Sequence, residues 1–276
     1  MTRDAKITIG LERWLCTPPG RYLLEWEQRQ LDGSVADVFG FHALQLGLPE
    51  VDALRANRMP HRWLATDDAL PRPPVPPLDA ADGPPAARAA VVLHCDFDAL
   101  PFPNQSLDLV VLPHSLELAR DAHEALREVE RVLMPEGRVV IVGFNPTSLW
   151  GLRRRVGHWR WRMSFGRGRQ PFMPDTGPAI GYWRLRDWLR LLSFDIEGGR
   201  FGGWRPPIAS QRWLSRFAWM DAAGERWWPV LGAVYLLVAV KRVRGMRVIG
   251  LARNDRKKVP AAPAVVTNRH QREGGA

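Results

Sequence analysis

Three short apolar runs stand out between residues 91 and 142, and polar residues follow each of them. Val91–Leu93, Leu109–Leu112 and Val139–Val142 are continuous rather than alternating, and they are rich in β-branched residues. This pattern is typical of strands buried on both faces of a parallel sheet. A short apolar run also suits a buried helix segment, but the flanking Gly, Pro and Asn residues favour strands.

An amphipathic helix is predicted between the second and third runs. Asp121 and Glu124 have the spacing of a capping box, with Asp in place of Ser or Thr. Pro135 predicts the end of the helix and a turn into the third strand. The apolar positions recur at helical spacing at Ala125, Leu126, Val129, Val132 and Leu133.

Polar residues gather at the points where these strands end. Asp96 and Asp98 follow the first strand, His114 follows the second, and Asn145 follows the third. Ligands of open α/β sheets bind beyond the carboxyl ends of the strands. The sequence therefore predicts a binding site at this edge of the sheet.

The preceding segment contains two further predicted strands. Residues 41–47 predict the first, and Pro49 favours a helix over residues 49–56 because proline suits a first helical turn. Arg62–Thr66 predicts the next strand, which ends at Asp67. Residues 71–90 contain seven prolines, so no regular helix is expected to run through them.

Four motifs between residues 91 and 145 match one family pattern. CDFDALPF at 95–102 is similar to G-D-A-E-x-L-P-F, and SLDLVV at 106–111 is similar to S-F-D-x-V-V. HSLE at 114–117 is similar to H-x-L-E, and LREVERVLMPEG at 126–137 is similar to L-R-E-x-x-R-V-L-R-P-G-G. Residues 91–145 therefore resemble the second half of a class I methyltransferase domain (type 11-like), a family that uses S-adenosylmethionine.

The resemblance implies a Rossmann-like α/β fold. We expect a mostly parallel seven-stranded sheet with helices on both faces and an antiparallel last strand. Helix 182–192 and the step at Leu192–Ile196 resemble the family's entry into the sixth strand, and residues 232–240 would form the seventh. The implied activity is methyl transfer from S-adenosylmethionine to an unidentified acceptor, either a small molecule or a macromolecule.

The resemblance weakens at the loop after the first strand. Leu44-Gln45-Leu46-Gly47 resembles the family's L-D-x-G, with Gln45 at the acidic position, and it implies that Gln45 and Gly47 contact the cofactor. Leu48-Pro49-Glu50 then stands where the family has further glycines, which allow the backbone to approach the methionine part of the cofactor closely. The alternative is that Gly47 merely ends a strand.

Three residues are candidates for the adenosine part of the cofactor. Asp67 is expected to bind the ribose hydroxyls; its alternative is a solvated turn or a helix cap. Asp96 is implied by the resemblance to accept a hydrogen bond from the adenine amino group, and Phe97 supplies the neighbouring backbone amide. The alternative for Asp96 is a structural acid that caps its loop.

Pro113 and His114 follow the fourth strand, beside the expected position of methyl transfer. His114 is a candidate general base because its unperturbed pKa lies near neutral pH. Alternatively, it only donates a hydrogen bond to the cofactor or to the backbone. Methyl transfer is an in-line displacement that alignment alone accelerates, so it does not require a base.

The predicted organisation has three parts: an N-terminal helical cap at 1–36, a methyltransferase-like domain at 37–242, and a basic, disordered tail at 243–276. The net charge of +10 is concentrated in two places. Residues 151–170 contain seven arginines and no acid, and residues 241–276 contain ten basic residues and two acids. The basic character is therefore an addition to a mildly acidic core.

An Arg/Trp-rich insertion is predicted at about 145–180. Arg and Trp there suit nucleic acid, through phosphate pairing and base stacking, or an anionic membrane surface. They also suit a packed, soluble lid. The alternative function is accordingly a non-catalytic module of the same fold that binds nucleic acid or such a membrane.

Targeting and metal signals are absent from the sequence. No apolar segment of signal-peptide type follows Arg3–Lys6, and the longest apolar run, Val230–Val240, is too short to span a bilayer. Two cysteines, Cys16 and Cys95, predict neither a disulfide framework nor a zinc site. We expect a cytoplasmic protein without a metal, and its oligomeric state is left open.

Overall fold

The structure describes five stretches of the chain. The computed structural model describes residues 10–11, 13–67, 91–163, 172–173 and 177–242. The proline-rich segment, much of the glycine- and arginine-rich part of the insertion and the predicted tail therefore lie outside the described residues.

Seven strands lie in the described residues: β1 (His42–Leu46), β2 (His61–Thr66), β3 (Val91–His94), β4 (Leu107–Pro113), β5 (Leu133–Phe144), β6 (Phe194–Gly202) and β7 (Val234–Lys241). They form one sheet in the order β3-β2-β1-β4-β5-β7-β6. All neighbouring pairs are parallel except that β7 runs antiparallel to both β5 and β6. The predicted seven-stranded sheet with an antiparallel last strand is confirmed.

Helices flank the sheet: α1 (Pro18–Val35), α2 (Ser115–Leu118), α3 (Ala122–Val132), α4 (Leu149–Met163), α5 (Tyr182–Leu191), α6 (Gln211–Arg216) and α7 (Trp219–Trp227). The start of α3 follows the predicted cap, since the Asp121 carboxylate accepts hydrogen bonds from the backbone N–H groups of His123 and Glu124. Thr17 caps α1 in the same way by accepting from Gly20, and Pro18 occupies the first turn of that helix.

Alternate residues of the central strands face two different cores. On β4, Leu109 and Val111 pack on the side that α1 covers with Leu23 and Leu31. Val110 and Leu112 point the opposite way and pack with residues of α3 and α5. Because both faces are covered, the middle parts of β4 (109–112) and β5 (139–142) are apolar at every position, which explains the continuous runs in the sequence.

The predicted helix at residues 49–56 is wrong. Residues Pro49–Ala56 form turns and bends instead. The Gln45 side chain binds backbone groups that would otherwise be free to pair within a helix. Its amide nitrogen donates hydrogen bonds to the carbonyl oxygens of Leu48 and Val51. Its amide oxygen accepts from the backbone N–H of Ala53.

The predicted turn at residues 135–137 lies inside a strand. Helix α3 already ends at Val132, and β5 begins at Leu133. The register of the β4–β5 pair shifts between Leu107 and Leu109, and Glu136 has a φ of 66°. Pro135 and Gly137 therefore belong to an irregular start of β5 rather than to a connecting loop.

Close packing of α1 on the edge of the sheet generates a stability prediction. A Cβ atom at Gly202 on β6 would lie 2.0 Å from the Trp26 ring, whereas a Cβ at Gly198 on the same strand would meet nothing within 4 Å. We expect Gly202→Ala to lower the free energy of unfolding by about 2 kcal/mol, because the indole must move.

Gly198→Ala is the matched control and is expected to change the free energy of unfolding by less than about 0.5 kcal/mol. Chemical denaturation of both variants measures the difference. Equal effects of the two substitutions would show that α1 does not pack on β6 in this way.

Candidate functional site

Three of the predicted cofactor residues meet in one small pocket at the carboxyl edge of the sheet. Asp67 follows β2, and Asp96 and Phe97 follow β3; these strands pair in parallel, with Thr66 opposite His94. Asp67, Asp96, Phe97 and Asp98 line the pocket together with residues 119–121. The tertiary structure therefore brings together acids that are almost thirty residues apart in sequence.

Gly47 lies where β1 ends, directly beside the Phe97 ring. Its φ is 70°, a conformation that glycine adopts without strain. A Cβ atom there would lie 3.3 Å from the Ser115 hydroxyl and 3.4 Å from the tip of the Phe97 ring. The Ser115 hydroxyl also donates to the carbonyl oxygen of Leu46, which ties the start of α2 to the end of β1.

The Gln45 side chain is directed into the protein and not toward the pocket. It is buried, and both ends of its amide bind the backbone of the loop that follows β1. Leu48 is fully buried in the core beneath α1 and has a φ of 38°, which is unusual for a leucine. The loop is thus held by its own side chains in place of the glycines of the family pattern.

The functional groups of these residues suit S-adenosylmethionine, but the cavity that they line is small. Carboxylates at Asp67 and Asp96 suit ribose hydroxyls and an adenine amino group, and Gly47 leaves the backbone without a side chain at the cleft. The cavity between them measures only about 10 Å³, which is about the room that one water molecule needs. The Phe97 ring is one of the groups that line this small cavity.

Pro113 and His114 lie at the end of β4, on the side of the sheet that faces α1. Pro113 pairs with Val142 of β5, and the His114 backbone N–H donates to the carbonyl oxygen of that residue at 2.9 Å. His114 has a φ of 55°, which turns the chain out of the strand into α2. Its side chain is completely buried.

The His114 imidazole lies between two carboxylates. Nε2 is 3.0 Å from Oε1 of Glu27 on α1, and Nδ1 is 3.5 Å from Oε2 of Glu117 on α2. The other Glu117 oxygen accepts the backbone N–H of Phe144 at 2.7 Å, and the Phe144 ring stacks at 4.2 Å from the imidazole. The cluster joins α1, α2 and the ends of β4 and β5.

These contacts set the charge of His114. Burial by itself lowers the pKa of the imidazole, but the charge of Glu27, its hydrogen bond and the nearby Glu117 carboxylate outweigh it and raise the pKa to about 10. The ring is therefore an imidazolium at neutral pH. Because both nitrogens face carboxylates, the ring cannot accept a proton from a ligand while Glu27 stays in place.

A larger cavity of about 460 Å³ opens beyond the carboxyl end of β5. Phe144, Trp150 and Met173 form apolar parts of its wall, and Arg154, Arg155 and His158 of α4 contribute basic groups. No acidic side chain is among its lining residues in the described part of the chain. Its size is that of a small-molecule site.

Asn145 holds the floor of this cavity. Its amide nitrogen donates to the carbonyl oxygens of Val230 and Gly232, and its side-chain oxygen accepts from the backbone N–H of Thr147. The side chain therefore closes the turn between β5 and α4 and joins it to the start of β7.

Glu27 was missed by the sequence reasoning, although the sequence contains a signal for it. The buried positions of α1 include Leu23, Leu31 and Val35 at helical spacing, and Glu27 lies on the same stripe. A carboxylate on the apolar face of an amphipathic helix is expected to have a buried partner. The identity of that partner, His114, depends on tertiary packing.

Comparisons with known proteins agree with the fold. Residues 78–141 match the family described as "Methyltransferase domain". The protein YafS of Escherichia coli (strain K12) is 28% identical over 249 residues, which is 87% of this chain and 85% of that protein. The structure of an S-adenosylmethionine-dependent methyltransferase from Thermotoga maritima superposes with a TM-score of 0.53 at 16% identity, covering 84% of this chain and 94% of the other.

The similarity to a curated methyltransferase is local. The malonyl-[acyl-carrier protein] O-methyltransferase of Halorhodospira halophila is 45% identical over 58 residues. This segment covers 21% of this chain, and the chain spans only 20% of the length of that enzyme. The local match therefore supports a methyltransferase domain but does not identify an acceptor.

The buried imidazolium generates a prediction of pH-dependent stability. Its pKa is raised above the usual value of 6.5, so its contribution is complete below about pH 6.5 and is lost as the pH rises toward about 10. We expect His114→Gln to lower the free energy of unfolding by about 3 kcal/mol at pH 6, because Glu27 and Glu117 lose their counter-charge.

The same variant is expected to lose less stability than the wild type between pH 6 and pH 9.5. Denaturant titrations at both pH values measure this difference. His123→Gln, an exposed position on α3, is the control and is expected to keep the wild-type pH dependence. A wild-type pH dependence in His114→Gln would exclude a buried imidazolium.

Proposed function

We propose that this chain is a class I S-adenosylmethionine-dependent methyltransferase, which binds the cofactor at the carboxyl edge of β1, β2 and β3 and transfers its methyl group to an acceptor. The observation that supports this most directly is the meeting of Asp67, Asp96 and Phe97 in one pocket beside Gly47. When bound, the cofactor supplies an electrophilic methyl group.

The residues of the pocket suggest a division of tasks. Asp67 would bind the ribose hydroxyls, and the exposed Asp96 would accept from the adenine amino group. Gly47 and Pro113 would contribute backbone surface near the methionine end. Gln45 would act indirectly, by holding the loop through its amide. Binding would require the Phe97 ring to move away from Gly47, since the present cavity is too small for a nucleoside.

His114 is better suited to positioning than to general-base catalysis. As an imidazolium between Glu27 and Glu117, it has no proton-accepting nitrogen directed at the cleft. His114 could act as a base only if the Glu27 carboxylate moved away from its Nε2 atom. We propose that His114 fixes the ends of β4 and β5 under α1, and that alignment of donor and acceptor supplies most of the rate.

The cavity beyond β5 is our candidate for the acceptor. It lies next to Phe144, whose ring contacts the His114 imidazole, and is therefore close to the end of β4. Its apolar wall and basic groups favour an acceptor with an apolar body and a polar or anionic group. A basic lining does not by itself distinguish a small molecule from a side chain of a macromolecule.

A non-catalytic role is the second candidate. It is favoured by the loop after β1, where Leu48-Pro49-Glu50 stands in place of the glycines and Gln45 in place of the acid, and by the cavity of about 10 Å³ in the cofactor pocket. Such a module would retain the fold without the cofactor. Cofactor binding distinguishes the two candidates.

Calorimetry with S-adenosylhomocysteine tests cofactor binding directly. We expect the wild type to bind, and Asp96→Asn to weaken binding by tenfold to a hundredfold, about the value of a hydrogen bond to a charged group. Asp195→Asn is the matched control, because that carboxylate is exposed on β6 and lies outside the pocket lining. Absence of binding at millimolar ligand would leave the non-catalytic candidate.

Methyl labelling tests the acceptor cavity separately. Tritiated S-adenosylmethionine and a cell extract, divided into small-molecule and macromolecular fractions, show which fraction receives the label. We expect His158→Ala to lower label transfer at least tenfold while the affinity for S-adenosylhomocysteine stays unchanged, because His158 lines the cavity beyond β5 and not the pocket of Asp67 and Asp96. Unchanged transfer in this variant would place the acceptor elsewhere.

A further inference from the structure

Helix α4 exposes a continuous apolar stripe. Its five members are between 46% and 66% exposed and are spaced three and four residues apart, so they lie on one side of the helix. We call this surface the α4 stripe; it consists of Leu149, Leu152, Val156, Trp159 and Met163. Soluble proteins rarely leave a row of large apolar side chains open to water without a use for it.

The α4 stripe is not the side that holds the helix on the protein. Trp150 and Arg154 lie on the opposite side and are buried. The Trp150 indole N–H donates to the carbonyl oxygen of Arg205 at 2.6 Å, and Ser148 caps the helix by accepting from the backbone N–H of Gly151. Because these contacts anchor α4, the α4 stripe is available for a partner.

The charge pattern of α4 identifies the kind of partner. The segment from Leu149 to Met163 contains no acidic residue. At about 100° per residue, Arg153 and Arg155 lie on either side of the α4 stripe. Both are exposed, although Arg153 also contacts Pro207 and the Phe172 ring. An apolar stripe with a basic margin on each side complements an anionic lipid surface.

Two other partners fit this surface less well. Nucleic acid would use the arginines and Trp159, but Leu149, Leu152 and Val156 offer neither stacking nor hydrogen bonds to bases. A second copy of the chain would bring the basic margins of two helices together without acids on α4 to pair with them. The aliphatic centre and the basic margins together favour lipid.

We propose that the α4 stripe docks the protein onto an anionic membrane surface, with α4 lying in the plane of the interface. Trp159 and the aliphatic side chains would enter the boundary between head groups and acyl chains, and the arginines would meet anionic head groups. Within the described residues, no helix is long and apolar enough to cross a bilayer, so this contact is an attachment to one surface.

Vesicle co-sedimentation of the full chain tests the proposal. We expect binding to vesicles that contain about 30% phosphatidylglycerol in phosphatidylcholine, and weaker binding to phosphatidylcholine alone. Leu152→Ser combined with Trp159→Ser is expected to lower the partition coefficient at least tenfold, since two apolar contacts with lipid are lost. Arg155→Glu is expected to lower it about tenfold on anionic vesicles only.

A matched control distinguishes vesicle binding through the α4 stripe from nonspecific binding by exposed apolar side chains. Trp183→Ser combined with Leu191→Ser replaces the same residue types at exposed positions on α5 and is expected to leave partitioning unchanged. Thermal unfolding verifies that each variant is folded. If the Leu152 and Trp159 double variant fails to fold, Val156→Ser combined with Met163→Ser replaces it.

Several results would overturn the proposal. One is the absence of vesicle binding by the wild type. Another is wild-type partitioning of the α4 stripe variants, which would assign binding to other basic segments. Binding to an oligonucleotide but not to vesicles, or a dimer in light scattering that the α4 stripe variants abolish, would replace lipid by nucleic acid or by a second copy.

Discussion

The buried imidazolium of His114 ties together elements that are remote in sequence. Glu27 comes from the helix that precedes the sheet, Glu117 from the turn after β4, and the Phe144 backbone from the end of β5. A charge in the interior requires a close partner, so the two carboxylates must stay within a few ångströms of the ring. That requirement fixes α1 over the carboxyl ends of the central strands.

This constraint divides the edge of the sheet into two regions. On one side, Asp67, Asp96 and Phe97 surround a small pocket next to Gly47. On the other side, a cavity of about 460 Å³ lies between the end of β5 and α4. The His114 cluster and the Phe144 ring lie at the ends of β4 and β5, beside the cavity and next to β1 in the strand order.

Two departures from the family pattern are compensated by local structure. The loop after β1 lacks the glycines of the family pattern. The buried Gln45 amide instead forms hydrogen bonds with the backbone N–H and C=O groups of that loop. Helix α4, which follows β5, packs on the protein through one side and presents a second apolar side to the outside. In the functions that we propose, the first departure bears on cofactor binding and the second on attachment to a membrane surface.

Local sequence patterns determined most of the architecture. Continuous β-branched runs predicted β4 and β5, because strand segments buried on both faces need apolar residues at every position. The same pattern predicted β3, although β3 is an edge strand and only partly buried. The resemblance over residues 91–145 added the number of strands and the antiparallel last strand, and it pointed to Asp96 and Phe97. These features depend on neighbours in sequence or on a shared pattern, so a single chain suffices to predict them.

Tertiary structure decided the environment of each candidate residue. Gln45 occupied the acidic position of the motif, but only the folded loop shows that its amide is used by the backbone at residues 47–53. The sequence makes His114 a candidate base, but only the fold shows that Glu27, 87 residues away, is its partner. The proton affinity of a side chain and the space around it depend on groups that meet only after folding. The sequence pattern therefore predicted the positions of these side chains at the strand ends, but not their partners or their protonation.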